Sequence, residues 1–213
     1  MSNEQKESLK NKIIEHIYNA ILNDEYKRAE QIKEIPLSQK LNVSRAPVRE
    51  AMAELVSLGI LEQIERRGVF VKEISSKDIF DTYESKGVIE GFLATSFALH
   101  ASADDMKTLD EYINQMAKNG ADKNAVAKIG GDFHEHYLKY ATNDVLKQTL
   151  KRLNKKSQLL FSRNWSKLYT MDEIILRHQK IVDVLKAKKK KQIETCIKEH
   201  YFETGTKIVL LHN

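Results

Sequence analysis

Four arginines stand in two close pairs in the first third of the chain. Arg45 and Arg49 are four residues apart, so on a helix they lie on one face. Arg66 and Arg67 are adjacent, and Gly68 follows them with the backbone freedom that a tight hairpin requires. A guanidinium group donates paired hydrogen bonds to a phosphate, or to O6 and N7 of guanine. The chemistry of these pairs therefore suits nucleic acid, provided that their elements can reach it.

Three histidines offer a second kind of chemistry, because imidazole nitrogens bind Zn, Ni, Co, Mn or Fe. His134, His178 and His200 each lie in a segment with helical periodicity. His178 and His200 are 22 residues apart, on two helices joined near Lys188, and antiparallel packing can bring both rings to one level. Single histidines are more often hydrogen-bonded core or surface residues, so spacing alone favours that interpretation over a metal site.

The arginine pairs are carried by short, well-marked elements. Apolar periodicity predicts helices over 9–22, 34–41 and 44–58, with a polar connection after the first. Ser44 is expected to cap the third helix by accepting a hydrogen bond from a first-turn N–H group. Two short apolar runs flanking Arg66–Gly68 then predict a β-hairpin.

This order of elements predicts a winged helix-turn-helix. Arg45 and Arg49 would stand at the N-terminal end of the helix that enters the major groove, and Arg66 and Arg67 at the wing tip would reach phosphates or the minor groove. The alternative is that the arginines only solvate a surface. We favour DNA contact because all four lie on the two elements that must touch DNA in this architecture.

The rest of the chain is predicted to be helical almost throughout. Periodicity marks six further helices, over 76–101, 104–119, 123–141, 144–165, 170–187 and 190–210. The predicted fold class is therefore mainly α. A winged helix-turn-helix with a small β-hairpin occupies 1–75, and an all-α helical bundle occupies 76–213.

Composition and charge restrict the function less than the motifs do. The net charge is +5, but residues 1–73 hold 12 basic and 12 acidic residues, so bulk charge does not identify a DNA-binding half. The single cysteine, Cys196, allows no intramolecular disulfide framework. The chain shows neither an apolar signal core nor the ~20 consecutive apolar residues of a membrane span. We therefore expect a cytoplasmic protein without a membrane partner.

The segment "LNVSRAPVREAMAELVSLGILEQIERRGVFVKEIS" resembles the GntR family of bacterial regulators. In that family the recognition helix typically reads V-S-R-x-P-V-R-E-A-L and the wing R-R-G-x-F-V. The resemblance covers 8–75, although "EYKRAEQ" replaces the Pro-Gly turn that often joins the first two helices. It implies a set of DNA contacts: Arg45, Arg49 and Gly68, together with Ser44, Arg66 and Arg67.

The helical remainder resembles the effector domain, called FCD, of the FadR-like branch of that family. The segments that carry this likeness are "DTYESKGVIEG", "FHEHYLKYATNDVL" and "RHQKIVDVLKAKKKKQIETCIKEH". The likeness implies a small effector, commonly a carboxylate, and often one divalent metal such as Zn, Ni or Mn. The implied metal ligands are His134, His178 and His200, and Lys86 falls where an effector-facing Arg often stands.

Two positions depart from the family pattern. The metal-binding branch has an Asp four residues before the first His, and Gly130 occupies that place. Asp132 and His136 have the same spacing and would form the pair if the helix were shifted locally. Without its carboxylate the site would hold a metal more weakly, bind another anion, or be metal-free. Lys86 keeps a positive charge but loses bidentate carboxylate recognition, and an exposed helix lysine is the alternative.

These features together predict a ligand-responsive regulator, more specifically a repressor, that binds a palindromic operator as a homodimer. They do not favour an enzyme. A metal-dependent enzyme built on His134, His178 and His200 is the alternative, but the chain lacks an H-E-x-x-H element to supply a base beside a metal. A third interpretation is an interaction adaptor that only retains the fold.

Overall fold

The computed structural model describes residues 3–212. Contacts divide the chain into two compact units, and the division falls between Ile74 and Ser75. Elements of the first unit are three helices and three strands within the described range: α1 (Asn3–Leu22), β1 (Gln31–Ile32), α2 (Glu34–Lys40), α3 (Arg45–Ser57), β2 (Leu61–Ile64) and β3 (Gly68–Val71).

The core of the first unit forms where α1 packs on α3. The isoleucines of α1 lie on one stripe and are almost fully buried, and so are the apolar residues spaced three and four apart on α3: Ile13, Ile14, Ile17, Ile21, Val48, Ala51, Met52 and Leu55. The helix α3 ends where Gly59 adopts a φ of +67°. Burying one face of α3 leaves Arg45 and Arg49 on its exposed face.

The three strands form an antiparallel sheet in the order β1-β3-β2. Leu61 of β2 pairs with Val71, and Ile64 pairs with Gly68, so the hairpin tip lies at residues 65–67. The segment expected to be only a polar connection ends in β1, where Gln31 pairs with Phe70 of β3. This unit is the predicted winged helix-turn-helix, with one strand more than the sequence indicated.

The second unit consists of helices in the part of the chain that the structure describes: α4 (Ser76–His100), α5 (Ala103–Lys118), α6 (Lys123–His136), α7 (Asp144–Leu168), α8 (Met171–Ala187) and α9 (Lys190–His212). Three of them begin at capping boxes, in which Ser75, Ser102 or Thr170 accepts a hydrogen bond from a backbone N–H group that would otherwise be unpaired. The predicted bundle is confirmed. None of the described helices is long and apolar enough to cross a membrane.

Three predicted helix bounds are wrong: α1 begins at Asn3 rather than at residue 9, α7 ends at Leu168 rather than at residue 165, and α6 ends early. The sixth helix was expected to continue to residue 141, but α6 ends at His136. After it the chain makes tight turns, in which the N–H groups of Leu138, Lys139 and Ala141 each donate to the carbonyl three residues earlier. These bonds satisfy the backbone locally, so the apolar residues beyond His136 continue the helical pattern without continuing the helix.

Candidate functional site

The recognition helix presents its two arginines at the surface of the first unit. The side chains of Arg45 and Arg49 are 57% and 64% exposed, and both are bonded to Glu34. Arg49 donates from Nε at 3.0 Å and from Nη2 at 3.1 Å, and Arg45 donates from Nη2 at 3.3 Å. The hydrogen bonds from Arg49 and Arg45 hold the pKa of Glu34 below its usual value. Exposed, oriented guanidinium groups at a helix N-terminus are suited to contact DNA.

Ser44 is the N-cap residue of α3, as expected, with an extended backbone. Its side chain makes no capping hydrogen bond within the residues that the structure describes, so the expected cap interaction is wrong. The exposed Ser44 hydroxyl therefore stands beside Arg45. A free hydroxyl in this place can donate to a phosphate oxygen.

The wing tip has the backbone that its residues predict. Gly68 has a φ of +109° and Arg66 a φ of +60°, which together turn the chain between β2 and β3. Gln31 of β1 donates from Nε2 to the Arg67 carbonyl at 2.6 Å and so ties the tip to the third strand. The Arg66 side chain is 91% exposed.

The three histidines meet inside the second unit. His134 of α6, His178 of α8 and His200 of α9 each offer one ligand atom, and these atoms lie within 4.8 Å of one another. His134 and His178 are buried, and His200 is half-buried. Sequence spacing predicted that His178 and His200 could lie at one level of the bundle. The packing of α6 brings His134 to the same place.

Hydrogen bonds from Nδ1 orient two of the three rings. His178 Nδ1 lies 2.7 Å from the Ile174 carbonyl oxygen, so it carries the proton and leaves Nε2 as an acceptor. His134 Nδ1 lies 2.8 Å from Glu90 Oε1, a carboxylate that is fully buried. His200 Nδ1 is buried without a hydrogen-bond partner among the described residues. Rings fixed by such outer bonds are typical of metal-binding histidines.

Burial keeps the histidine cluster neutral. Burial, together with the neighbouring His134, lowers the pKa of His178 to about 3. Burial also lowers the pKa of His134, and it lowers that of His200 well below its usual value. A neutral imidazole is the form that binds a metal ion, so little proton release opposes binding near neutral pH.

Glu90 is the charged centre beneath the cluster. Besides His134, it accepts hydrogen bonds from the hydroxyls of Tyr137 and Tyr201, the latter at 2.7 Å. Burial opposes ionisation of this carboxyl, but the hydrogen bond from His134, the charge of Lys86 and the hydrogen bond from Tyr137 hold its pKa below the usual value. Glu90 was not among the predicted site residues, although its place one helical turn after Lys86 was a usable signal.

The structure decides between the two proposed carboxylate positions. A Cβ atom built at Gly130 would lie 3.9 Å from His178 Nε2, so an acidic side chain there would point toward the cluster. His136 instead packs against Phe97 and lies 3.7 Å from Asp105. The alternative pairing of Asp132 with His136 at the metal site is therefore wrong, and α6 keeps the phase that puts His134 in the cluster.

Lys86 is buried rather than exposed, so the exposed-lysine alternative is also wrong. Its Nζ atom lies 3.2 Å from Ser157 Oγ and 4.4 Å from the centre of the Tyr201 ring. Burial lowers the pKa of Lys86, while the nearby Glu90 opposes that shift. A buried ammonium beside a cavity is a strong binding group for an anion, because little water competes with the anion.

A cavity of about 190 Å³ joins these groups. Lys86 and the three histidines line it, and so do Asn154 and Arg177, which the sequence analysis missed. Asn154 Oδ1 is buried without a hydrogen-bond partner in the described part of the chain. Arg177 donates to the His200 carbonyl at 2.6 Å and to Glu203. The cavity thus combines basic groups with buried polar atoms that have no partner among the described residues, and the acidic Asp132 and Glu135 also line it.

Both units of the chain are similar to known protein families. The family profile "Bacterial regulatory proteins, gntR family" matches residues 9–71, and the profile "FCD domain" matches residues 81–203. The HTH-type transcriptional regulator YdhC of Bacillus subtilis is 24% identical over 85% of this chain and 82% of its own length. The probable D-xylose utilization operon transcriptional repressor of Paenarthrobacter nicotinovorans is 26% identical over 79% of this chain and 75% of its own.

Solved structures share the fold at low sequence identity. McbR/YncC of E. coli has a TM-score of 0.78 at 16% identity, covering 96% of this chain and 99% of the other. A putative transcriptional regulator GntR from Rhodococcus sp. RHA1 has a TM-score of 0.73 at 18% identity, covering 97% of this chain and 100% of the other. At such identities these likenesses establish the architecture alone.

Proposed function

Since this chain belongs to the gntR family of bacterial regulatory proteins and carries an FCD domain, we propose that it represses transcription as a homodimer bound to a palindromic operator. A small carboxylate effector bound in the FCD cavity would control this binding. Two relatives are named as repressors of a D-xylose utilization operon and of a galactonate operon, which supports repression. In a homodimer two winged helix-turn-helix units bind two half-sites, which supplies the sequence specificity that one recognition helix lacks.

The observation that carries the DNA-binding part is the exposure of the predicted contact residues. Arg45 and Arg49 project from the N-terminal end of the recognition helix, and Arg66 is 91% exposed at the wing tip. Ser44 and Arg67 are exposed beside them, and Gly68 shapes the wing. In this proposal Arg45 and Arg49 contact base edges, while Arg66, Arg67 and Ser44 contact phosphates.

The experiment that tests this part is Arg49→Ala, measured by fluorescence anisotropy on duplexes that the wild type enriches from a random library. Loss of a bidentate base contact should weaken binding by about 1–3 kcal/mol and relax the preference at one base pair. Arg28→Ala is the control, because Arg28 is an exposed arginine outside the recognition helix and the wing. Unchanged affinity and base preference in Arg49→Ala would contradict the proposal.

The effector part is supported by the charges that line the cavity. Lys86 is a buried ammonium, and the neutral imidazoles of His134, His178 and His200 fit a divalent ion such as Zn²⁺, Ni²⁺ or Mn²⁺ with three protein ligands. When bound, such an ion would supply further positive charge for a carboxylate. In this proposal Lys86 pairs with the effector anion, and among the described residues no carboxylate joins the three histidines as a ligand.

The homodimer is supported by an apolar stripe on α4. Val88, Phe92 and Leu99 are 52%, 47% and 67% exposed, and their spacing places them along one side of the helix. Large apolar side chains exposed along one helix side are typical of interaction sites. A second copy of the same stripe, related by a two-fold axis, would cover it.

A further inference from the structure

Glu34 joins the two arginines of the recognition helix. It is the first residue of α2, and its side chain is 26% exposed, about half as much as that of either arginine. Each carboxylate oxygen accepts one bond from Arg49, and Oε2 accepts a third from Arg45. One acidic side chain thus orients both guanidinium groups that the proposed function assigns to base reading.

The geometry of the Arg49 pair leaves its outer edge for another partner. Glu34 occupies Nε and one proton of Nη2, so the fork between Nη1 and Nη2 keeps donors that the carboxylate does not use. Such a fork matches O6 and N7 of guanine. Fixing it beforehand reduces the side-chain entropy that is lost when the base is bound.

The charge of Glu34 has a second consequence. A phosphate that approached Arg45 and Arg49 would also approach the carboxylate, and like charges this close repel each other. A guanine edge carries no net charge, so it does not meet this penalty to the same extent. The same residue therefore favours the base contact and opposes the sequence-independent backbone contact.

We propose that Glu34 is a specificity-determining residue of this regulator. It holds Arg49 with its terminal fork available to a guanine and reduces the attraction of the recognition helix for phosphates. This proposal rests on the proposed function, in which Arg45 and Arg49 contact DNA. A simpler role would be stabilisation of α2, because an acidic residue in the first turn interacts favourably with the helix dipole.

Two variants separate these roles. Glu34→Gln removes the charge, and Glu34→Asp keeps the charge near the helix N-terminus but shortens the side chain that reaches Arg49. The matched control is Glu65→Gln, which removes one negative charge from the wing, where Glu65 lies 3.7 Å from Arg66 and 90% exposed. Circular dichroism and thermal unfolding check that each variant folds.

The probes come from the wild-type protein itself. Full-length wild type selects duplexes from a random library, and three probes are used: the enriched duplex, the same duplex with 7-deazaguanine at each guanine in turn, and the starting library. Dissociation constants are measured for all variants over a salt series, because phosphate contacts alone give a strong salt dependence.

The expected result is a loss of discrimination in both Glu34 variants. Glu34→Gln should bind the starting library more tightly and lower the ratio of specific to nonspecific affinity by on the order of tenfold, the scale of one bidentate base contact. The penalty for 7-deazaguanine at the position read by Arg49 should shrink in both variants. Glu65→Gln should change affinity for the enriched duplex and the library together.

The failures are distinguishable. If the wild type enriches no sequence, the proposed function fails and this inference fails with it. If the wild type enriches a sequence but folded Glu34→Gln and Glu34→Asp keep the wild-type ratio and 7-deazaguanine penalty, the proposed function stands and the role of Glu34 is wrong. Loss of discrimination in Glu34→Gln alone, with Glu34→Asp unchanged, would overturn the positioning role and leave only a charge effect.

Discussion

At the scale of single residues, Gly130 decides how the histidine cluster would hold a metal. Its missing side chain leaves room near His178, where a Cβ atom would make ordinary contacts of 3.9 Å with His178 Nε2 and Met116 Sδ. We predict that Gly130→Asp binds Zn²⁺ or Mn²⁺ at least about tenfold more tightly, since changes in outer ligand shells alone produce effects of that size. Isothermal titration calorimetry on chelator-treated protein measures the change.

Gly131→Asp is the matched control for this substitution. It adds the same side chain one position later on α6, where a Cβ atom would approach Gln158 rather than a histidine. Metal affinity should stay at the wild-type value there. If Gly130→Asp and Gly131→Asp behave alike, the space beside His178 is not a coordination position.

The buried histidines also predict a pH dependence of stability. The pKa of His178 is about 3 in the folded chain, against 6.5 for a free histidine. Below pH 6.5 the unfolded state therefore binds a proton at this residue that the folded state does not bind. The contribution of His178 to the free energy of unfolding is therefore fully present above pH 6.5, and it is lost as the pH decreases toward 3. At pH 5 the expected loss from His178 alone is about 2 kcal/mol.

The measurement is urea unfolding of the chelator-treated protein at pH 7.5 and pH 5. The stability difference between wild type and His178→Gln should shift in favour of the variant by about 2 kcal/mol at the lower pH. His100→Gln, which removes an exposed histidine at the end of α4, should follow the wild type. A constant difference between wild type and His178→Gln would show that His178 is not kept neutral by the fold.

The sequence predicted the members of the site better than their surroundings. Residue types and family resemblance selected His134, His178, His200 and Lys86, and the structure places all four around one cavity. The spacing of Glu90 from Lys86 was a usable signal, but its role stayed hidden because its hydrogen bonds from α6 and α9 depend on the packing of helices distant in sequence. The sequence also left the burial of Lys86 open, since helical periodicity does not reveal which polar residue faces a cavity.

At the scale of elements, close packing of α4 on α9 positions Lys86 and Glu90 under the histidines. Gly91 lies on the contact, and a Cβ atom there would come within 3.1 Å of the Glu194 carbonyl oxygen and 3.2 Å of its Cα. We predict that Gly91→Ala lowers the free energy of unfolding by about 1–3 kcal/mol, because backbone atoms of α9 must move to admit the methyl group. Chemical denaturation followed by circular dichroism measures it.

The comparison is Gly130→Ala, where a methyl group would find contacts of 3.9 Å. With no clash, the higher helix propensity of alanine should stabilise this variant by up to about 1 kcal/mol. Opposite signs for the two glycines are expected, and a stabilised Gly91→Ala would contradict the proposed close approach of the helices.

The elements themselves were predictable where periodicity is long. Amphipathic stripes and caps located α1 and the helices of the bundle, and Gly68 located the hairpin. The strand β1 escaped prediction because two residues are too short to show alternation, and its pairing with β3 is a long-range contact. The end of α6 escaped because the turns after His136 keep apolar residues at helical spacing.

At the scale of the whole molecule, the proposed dimer places a demand on the surface of α4. In a two-fold interface each substitution occurs once in each subunit. An introduced Glu therefore lies against the same Glu, or against the apolar stripe, of the second subunit. We predict that Val88→Glu with Leu99→Glu converts the dimer to a monomer. Both positions are more than half exposed, at 52% and 67%, so the change should leave the fold of the bundle intact.

Light scattering after size-exclusion chromatography gives the mass, and anisotropy gives the affinity for enriched duplexes with two half-sites or with one. The monomeric variant should lose affinity for the two-half-site duplex and bind the single half-site as the wild type does, because dimerisation links the two reading heads without changing either. The control is Val145→Glu with Leu176→Glu, which places the same charges at positions 73% and 70% exposed on α7 and α8. A dimeric Val88→Glu/Leu99→Glu variant would exclude the α4 stripe as the interface, whereas a monomeric wild type would overturn the homodimer itself.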